Sequence, residues 1–207
     1  MILQKLKTFI KYFLINTKIV PEKVFERTRT HWLRVVSHEA SMNMIQNIST
    51  ELSSVLEISG NRWEKYFKKL NYKSMYYPEF DIQKINSFSN TYDLIIIEHV
   101  LEHLIFPFKA MKNIYSLLNN NGYVLIITPF LVKIHNAPQD CTRWTETGMK
   151  YFLVECGFRK ENIVTGSWGN RSCVKANFNK WIKFNPLFHS LVNDPEYPIT
   201  IWAFAQK

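Results

Sequence analysis

The chain has 207 residues, of which 46% are hydrophobic and 21% charged, and its formal net charge is +9. This composition excludes a disordered or collagen-like chain, and three cysteines without a CxxC pair support neither a zinc ribbon nor a disulfide framework. No uncharged apolar run reaches about 18 residues, so we expect no transmembrane helix and a reduced, cytoplasmic protein. The positive charge is spread along the chain, which favours a lysine-rich surface over a dedicated acidic partner.

The first 50 residues are basic and helical in pattern. We expect an amphipathic helix before Pro21, a second helix from Glu22 to about Val36, and a third from Ser41 to Thr50. The apolar face of the first helix could lie on a membrane surface, pack on the rest of the domain, or pack on a partner chain. We therefore predict an N-terminal helical extension at 1–50 and a domain at 51–207.

From residue 53 onward, short apolar strands alternate with helical segments. The predicted strands are Ser54–Ile58, Ser74–Tyr77, Tyr92–Glu98, Tyr123–Thr128, Asn162–Trp168 and Ile199–Ala205. The predicted helices are Asn61–Leu70, a helix from Pro107 that stops in a turn at Asn119–Gly122, a helix from an N-cap at Thr145 to Gly157, and Val174–Phe184. This alternation predicts a parallel sheet with right-handed crossovers, whose ligands bind at the carboxyl ends of the strands.

The segment Val55–Asn61 is the first candidate for a ligand loop, because a buried strand ends there in an acidic residue followed by small residues. Small residues let a ligand approach the backbone. A dinucleotide fingerprint needs three glycines, and only Gly60 is present, so an ordinary strand-to-helix turn explains the segment equally well.

Four segments in order carry a family resemblance: Glu57-Ile-Ser-Gly-Asn61, Tyr92-Asp-Leu-Ile-Ile-Ile-Glu-His-Val-Leu-Glu-His103, Asn120-Asn-Gly-Tyr-Val-Leu-Ile-Ile-Thr-Pro129, and Asp140-Cys-Thr-Arg-Trp-Thr with Glu155-Cys-Gly-Phe158. Over residues 53 to about 168 the chain resembles the class I S-adenosylmethionine-dependent methyltransferases, in particular uncharacterised bacterial members. The resemblance implies an α/β, Rossmann-like, doubly wound fold. Its mostly parallel sheet would have seven strands, or slightly fewer, with an antiparallel C-terminal strand.

The resemblance also implies S-adenosyl-L-methionine as cofactor and indicates which residues bind it. Ser59 and Asn61 replace two glycines that are usual in the first motif; serine is small, and asparagine tolerates left-handed backbone angles. Glu79 is expected at the ribose and Asp81 at the adenine, while Glu98 and His99 border the methionine end. The expected cofactor-binding residues are Glu57, Ile58, Ser59, Gly60, Asn61, Glu79, Asp81, Glu98 and His99.

The segment His99-Val-Leu-Glu-His103 also matches the HxxEH pattern of a group of zinc enzymes. It directly follows a buried strand, and no obvious third ligand comes after it in the chain, so we expect no metal.

The candidate catalytic residues are His135, Asp140 and Arg143, which follow the Tyr123–Thr128 strand where the resemblance implies the acceptor pocket. Asp140 or His135 could take a proton from an acceptor hydroxyl, and Arg143 could bind an acidic acceptor. A structural Asp140–Arg143 pair that holds the loop is the alternative.

The function indicated by the resemblance is methyl transfer to a small-molecule or saccharide acceptor. Two alternatives remain open: an RNA methyltransferase, suggested by the charge of +9, and a degenerate, non-enzymatic interaction protein, suggested by the missing glycines at Ser59 and Asn61.

Overall fold

The computed structural model describes residues 27–84, 90–136 and 138–207. The helix predicted before Pro21, with its suggested membrane contact, and the start of the helix predicted from Glu22 lie outside these residues. The six strands are β1 (Ser54–Ile58), β2 (Asn71–Met75), β3 (Tyr92–Glu98), β4 (Leu118–Pro129), β5 (Ile163–Trp168) and β6 (Thr200–Gln206).

The strands form one sheet in the order β2-β1-β3-β4-β6-β5. The pairs among β2, β1, β3 and β4 are parallel, whereas β6 pairs antiparallel with both β4 and β5. The prediction of a mostly parallel Rossmann-like sheet with an antiparallel C-terminal strand is confirmed, and the six strands in the described ranges fit the expected seven or slightly fewer. The apolar run Leu94–Ile97 in β3 is fully buried because core clusters cover both faces of the sheet, as is typical of a central parallel strand.

Four α-helices lie wholly within the described ranges: α1 (Val35–Ile48), α2 (Pro107–Leu117), α3 (Glu146–Glu155) and α4 (Arg171–Ala176). Of the helix expected at Glu22–Val36, residues 27–29 are helical; the chain leaves the helix at Thr30 and enters α1 through a 3-10 turn, Trp32–Arg34. Helix α1 covers most of the helix expected at Ser41–Thr50 and begins earlier than expected. Its Ile45 and Ile48 pack in the same cluster as Val55 of β1. No helix in the described ranges is both long and apolar enough to cross a membrane.

The helix predicted at Asn61–Leu70 is wrong, because only a 3-10 turn, Glu64–Tyr66, forms there. The prediction rested on apolar residues at helical spacing, and Trp63 and Phe67 are indeed buried. The Glu57 carboxylate, however, binds the backbone N–H groups of Arg62 and Trp63, and only twelve residues separate β1 from β2. The crossover therefore packs its aromatic side chains without a regular helix.

Other element boundaries differ for local reasons. Asn119–Gly122, predicted as a turn, lies within β4, where the pairing with β3 shifts register and Asn121 adopts a φ of 63°. Helix α4 is short and begins before the predicted Val174, because the Asn170 side chain accepts the Cys173 N–H and caps it. The predicted cap at Thr145 is confirmed: its hydroxyl accepts the Gly148 N–H.

Candidate functional site

The sheet order places a crevice at the carboxyl ends of β1 and β3. From β1 the chain goes to β2 on one side, and β3 lies on the other, so β1 and β3 flank the point where the strand order reverses. Ser59, just after β1, has a φ of 57°, and His99, just after β3, has a φ of 55°. Left-handed angles are uncommon for residues other than glycine, and they concentrate at functional sites. The geometry therefore points to these adjacent strand ends.

Glu57, the penultimate residue of β1, shapes the loop that follows. Its buried carboxylate accepts the Arg62 N–H (3.0 Å), the Trp63 N–H (2.9 Å) and the Tyr72 hydroxyl (2.7 Å). Burial, reinforced by the hydrogen bond to Glu57, raises the pKa of Tyr72. A Cβ on Gly60 would lie 2.4 Å from Oε1 of Glu57. The loop therefore needs glycine at this position to accommodate its own carboxylate.

Glu98 ends β3 and receives cationic and indole donors. The Trp63 indole N–H and the Arg62 guanidinium each donate to it at 3.2 Å, and the Arg34 guanidinium lies 3.8 Å away. Burial acts to raise the pKa of Glu98, but Arg62, His99 and Arg34 outweigh it and hold the pKa below its ordinary value. The edge of the crevice thus holds a paired carboxylate and two arginines.

Arg34, Arg62 and Trp63 also lie at this edge, although no sequence motif predicted them there. Arg62 and Trp63 directly follow the Glu57–Asn61 motif, and this position next to the motif could have predicted their place at the site. Arg34 lies far upstream in the 3-10 turn before α1, and no local pattern links it to the motif.

The two residues expected at the ribose and adenine lie beyond the end of β2. Glu79 is exposed to solvent. Asp81 accepts the backbone and side-chain N–H groups of Gln83 (3.0 and 3.3 Å) and pairs with Lys84. Burial acts to raise the pKa of Asp81, but the Gln83 hydrogen bonds and Lys84 outweigh it and hold the pKa below its ordinary value. Asp81 therefore stabilises its own turn, while the carboxylate of Glu79 faces solvent.

A second group of side chains lies at the carboxyl ends of β3 and β4, around the buried Glu102. Its Oε1 atom lies 3.5 Å from Nδ1 of His99, 3.7 Å from Nε2 of His103 and 3.9 Å from Nε2 of His135. Its Oε2 atom accepts a long hydrogen bond, 3.5 Å, from the Thr128 hydroxyl. The fold thus brings His135, one of the predicted catalytic residues, beside the HxxEH segment.

Asp140 and Arg143 form a bidentate ion pair in the loop after β4. Both guanidinium NH groups of Arg143 donate to Asp140, and the His135 N–H donates to it at 2.9 Å. The Arg143 hydrogen bonds, with the one from the His135 backbone N–H, lower the pKa of Asp140 to about 2 against the effect of burial. At neutral pH Asp140 is therefore an ionised, paired carboxylate, which makes it a weak base. The imidazole of His135 has Nδ1 3.5 Å from the same carboxylate.

Comparison with known proteins identifies relatives of this fold. A family model described as a methyltransferase domain matches residues 22–162. No curated protein gives a significant match to the chain.

Three solved structures are similar over most of the chain. A SAM-dependent methyltransferase from Archaeoglobus fulgidus has a TM-score of 0.54 at 15% identity, covering 95% of this chain and 99% of its own. The plantazolicin methyltransferase BpumL, solved with a triazolic desmethylPZN analog and SAH, has a TM-score of 0.52 at 17% identity, covering 90% of each chain. A SAM-dependent methyltransferase from Methanosarcina mazei has a TM-score of 0.51 at 12% identity, covering 79% of this chain and 96% of its own. At these identities the likeness shows the fold.

Proposed function

The chain belongs to the family of methyltransferase domains, and from that premise we propose that it transfers the methyl group of S-adenosylmethionine to a small-molecule or saccharide acceptor. The observation that carries the proposal is the pair of left-handed residues, Ser59 and His99, at adjacent strand ends of a parallel sheet. Ligands of such sheets bind in the crevice at this position. BpumL, which has the same fold, is described with SAH bound.

The residues of the crevice fit the cofactor in shape and charge. The loop Ser59–Asn61 is partly or fully exposed, and Glu57 binds the two backbone N–H groups that follow it, those of Arg62 and Trp63. Arg62 and Arg34 are cations that can bind the carboxylate of the methionine portion, and Glu98 can bind its ammonium group. When bound, S-adenosylmethionine supplies a methyl group activated by its sulfonium sulfur.

The second strand supplies groups for the nucleoside portion. Tyr76 and Tyr77 directly follow β2 and are 45% and 65% exposed, so either ring offers a face for the adenine to stack on. The exposed carboxylate of Glu79 can accept the ribose hydroxyls. Because Asp81 is already bound by Gln83 and Lys84, we assign it to holding this turn beside the adenine.

On the acceptor side, we assign His135 and Arg143 to contact with the acceptor and Asp140 to their orientation. Asp140 binds the guanidinium of Arg143 and the backbone N–H of His135, so it fixes both. Methyl transfer from a sulfonium depends strongly on alignment of the reacting atoms, and held side chains meet this need without a strong base. His135 and Arg143 are partly buried, which suits a small acceptor.

Calorimetric titration with S-adenosylhomocysteine tests the cofactor site. Wild-type protein should bind it. Gly60→Ala should bind it roughly tenfold more weakly or worse, because the added methyl displaces the Glu57 carboxylate from the loop amides at an overpacking cost of about 1–3 kcal/mol. Gly148→Ala is the matched control, since the same methyl has no non-hydrogen contact there closer than 3.2 Å, to the Thr145 hydroxyl.

Circular dichroism must first show that the wild type and both variants are folded. Wild-type protein that shows no binding at millimolar S-adenosylhomocysteine would refute the proposed activity. Equal affinity in wild type and Gly60→Ala would instead move the cofactor away from the Ser59–Asn61 loop.

A further inference from the structure

Three side chains converge beside the β3 and β4 strand ends in a pattern typical of metal ligands. Glu102, His103 and His135 each offer one ligand atom, and these atoms all lie within 4.8 Å of one another. We propose that Glu102, His103 and His135 bind a divalent transition-metal ion. The expectation of no metal rested on the lack of a third ligand after the HxxEH segment, and the fold supplies one from a loop more than thirty residues later.

The buried carboxylate provides the first argument. The Glu102 side chain is 0% exposed, and its Oε1 atom faces the imidazole nitrogens of His99, His103 and His135 without a well-formed hydrogen bond to any of them. Leaving a buried charged oxygen unpaired is costly, so such an atom needs a cation. The imidazole nitrogens of His103 and His135 lie 3.7 and 3.9 Å from it. Two ligands of a tetrahedral zinc ion are about 3.4 Å apart, so each imidazole would move a few tenths of an ångström toward Glu102, and the two imidazoles would approach each other by up to about 1.4 Å.

The hydrogen bonds around the two histidines provide the second argument. Nδ1 of His103 lies in hydrogen-bonding contact with the Gln139 carbonyl oxygen, which can only accept, so the ring proton is on Nδ1. In the neutral ring, Nε2 then carries a lone pair directed at Glu102. Nδ1 of His135 lies 3.5 Å from the Asp140 carboxylate, which faces it without forming a hydrogen bond. Metal-binding histidines usually have such a carbonyl or carboxylate behind them.

The ligand types indicate the class of ion. Two imidazoles with one carboxylate are the ligand set of several catalytic zinc sites, which keep one position open for water or substrate. Imidazole suits zinc, cobalt and iron better than magnesium or calcium, which prefer all-oxygen sites. His103 and His135 are 16% and 25% exposed, so an ion can enter from solvent and keep an open position. In the metal-bound protein His135 is a metal ligand, so it would influence the acceptor through the bound ion and not by direct contact.

Metal binding is measured directly on the full chain, without S-adenosylmethionine or an acceptor, so the result is independent of the proposed methyl transfer. The protein is stripped with EDTA, dialysed, and titrated with Co²⁺ by visible absorption and with Zn²⁺ by competition and elemental analysis. We expect one equivalent per chain and the intense visible bands of four- or five-coordinate Co²⁺. A millimolar excess of Mg²⁺ should not displace the ion.

Variants identify the ligands. His135→Ala should lower Zn²⁺ affinity about 100-fold or more, and Asp140→Asn, behind His135, roughly 10- to 100-fold. Glu102→Gln keeps the shape of the side chain and should also lose the ion; if it does not fold, His135→Ala decides, because His135 lies in a partly exposed loop. His38→Gln, a histidine on α1 outside the cluster, is the control and should bind like wild type.

Two results would overturn the inference. Sub-stoichiometric binding by folded wild type would show that the surrounding imidazoles, with His99 at 3.5 Å, satisfy Glu102 without a metal ion. Equal Zn²⁺ affinity in His135→Ala and His38→Gln would show that any bound ion lies elsewhere.

Discussion

Asp93, the second residue of β3, makes hydrogen bonds that link the amino-terminal ends of three neighbouring strands. One of its oxygens accepts the backbone N–H groups of Ser53 and Ser54 (both 2.9 Å) and their two hydroxyls (2.7 and 3.0 Å). Its other oxygen accepts the Asn119 side-chain N–H at 2.6 Å. These contacts join the starts of β1, β3 and β4 through one carboxylate.

Asp93→Asn should destabilise the protein by about 2–3 kcal/mol at pH 7. Hydrogen bonds to a charged group contribute about 1.5–3 kcal/mol net, and neutral ones about 1. The asparagine amide lacks the negative charge that faces Ser53 and Ser54. Its NH2 group must also face a donor, either the N–H groups of Ser53 and Ser54 or the side-chain N–H of Asn119. Because this edge of the sheet is partly exposed, the total loss of stability should stay near the contribution of a single hydrogen bond to a charged group. Urea denaturation followed by circular dichroism measures the difference, with Glu161→Gln as an exposed control expected within about 0.5 kcal/mol of wild type.

The effect should also depend on pH in one direction. Burial acts to raise the pKa of Asp93, but the donors from Ser53, Asn119 and Ser54 outweigh it and hold the pKa well below its ordinary value. Because the folded pKa is depressed, the stabilisation is fully present above the unfolded pKa of about 3.9 and is lost as pH falls toward the folded value. The difference between wild type and Asp93→Asn should be constant from about pH 7 to 5 and shrink below pH 4. A difference below about 0.5 kcal/mol at pH 7, or one that does not change with pH, would refute this account.

Three further predictions concern the loops at the other edge and the last strands. Ser59→Val should weaken S-adenosylhomocysteine binding and cost about 1–2 kcal/mol of stability, because a β-branched residue resists the left-handed angle. Ser59→Gly should be nearly neutral in both measurements. Equal behaviour of the two variants would show that the backbone angle at this position is unimportant. Gly169→Ala should lower stability by about 1–3 kcal/mol or more, since its Cβ would lie 2.0 Å from a backbone oxygen, while Gly148→Ala should not destabilise in thermal melts. Once a screen has identified an acceptor, His135→Ala and Asp140→Asn should lower turnover roughly 10- to 100-fold with S-adenosylhomocysteine affinity unchanged; a parallel loss of affinity would place this loop at the cofactor instead.

The sequence by itself determined the central strands and the alternation of strands and helices along the chain. The bounds of β1 and β3 were predicted correctly, because a continuous apolar run between polar residues has one low-energy place, the middle of a covered parallel sheet. Alternation of strands and helices then implied parallel pairing, and the caps of α3 followed from Thr145 and Gly157, which act within a few residues.

Only the tertiary structure decided what fills the space between β1 and β2 and how the site residues meet. Trp63 and Phe67 have helical spacing, but the Glu57 carboxylate, a contact across five or six residues, determines the path of their backbone. Glu98 meets Arg34 and Glu102 meets His135 across long separations in the chain, which local patterns do not encode. These contacts form because the carboxyl ends of parallel strands lie side by side at one edge of the sheet, which brings together side chains that are distant in sequence.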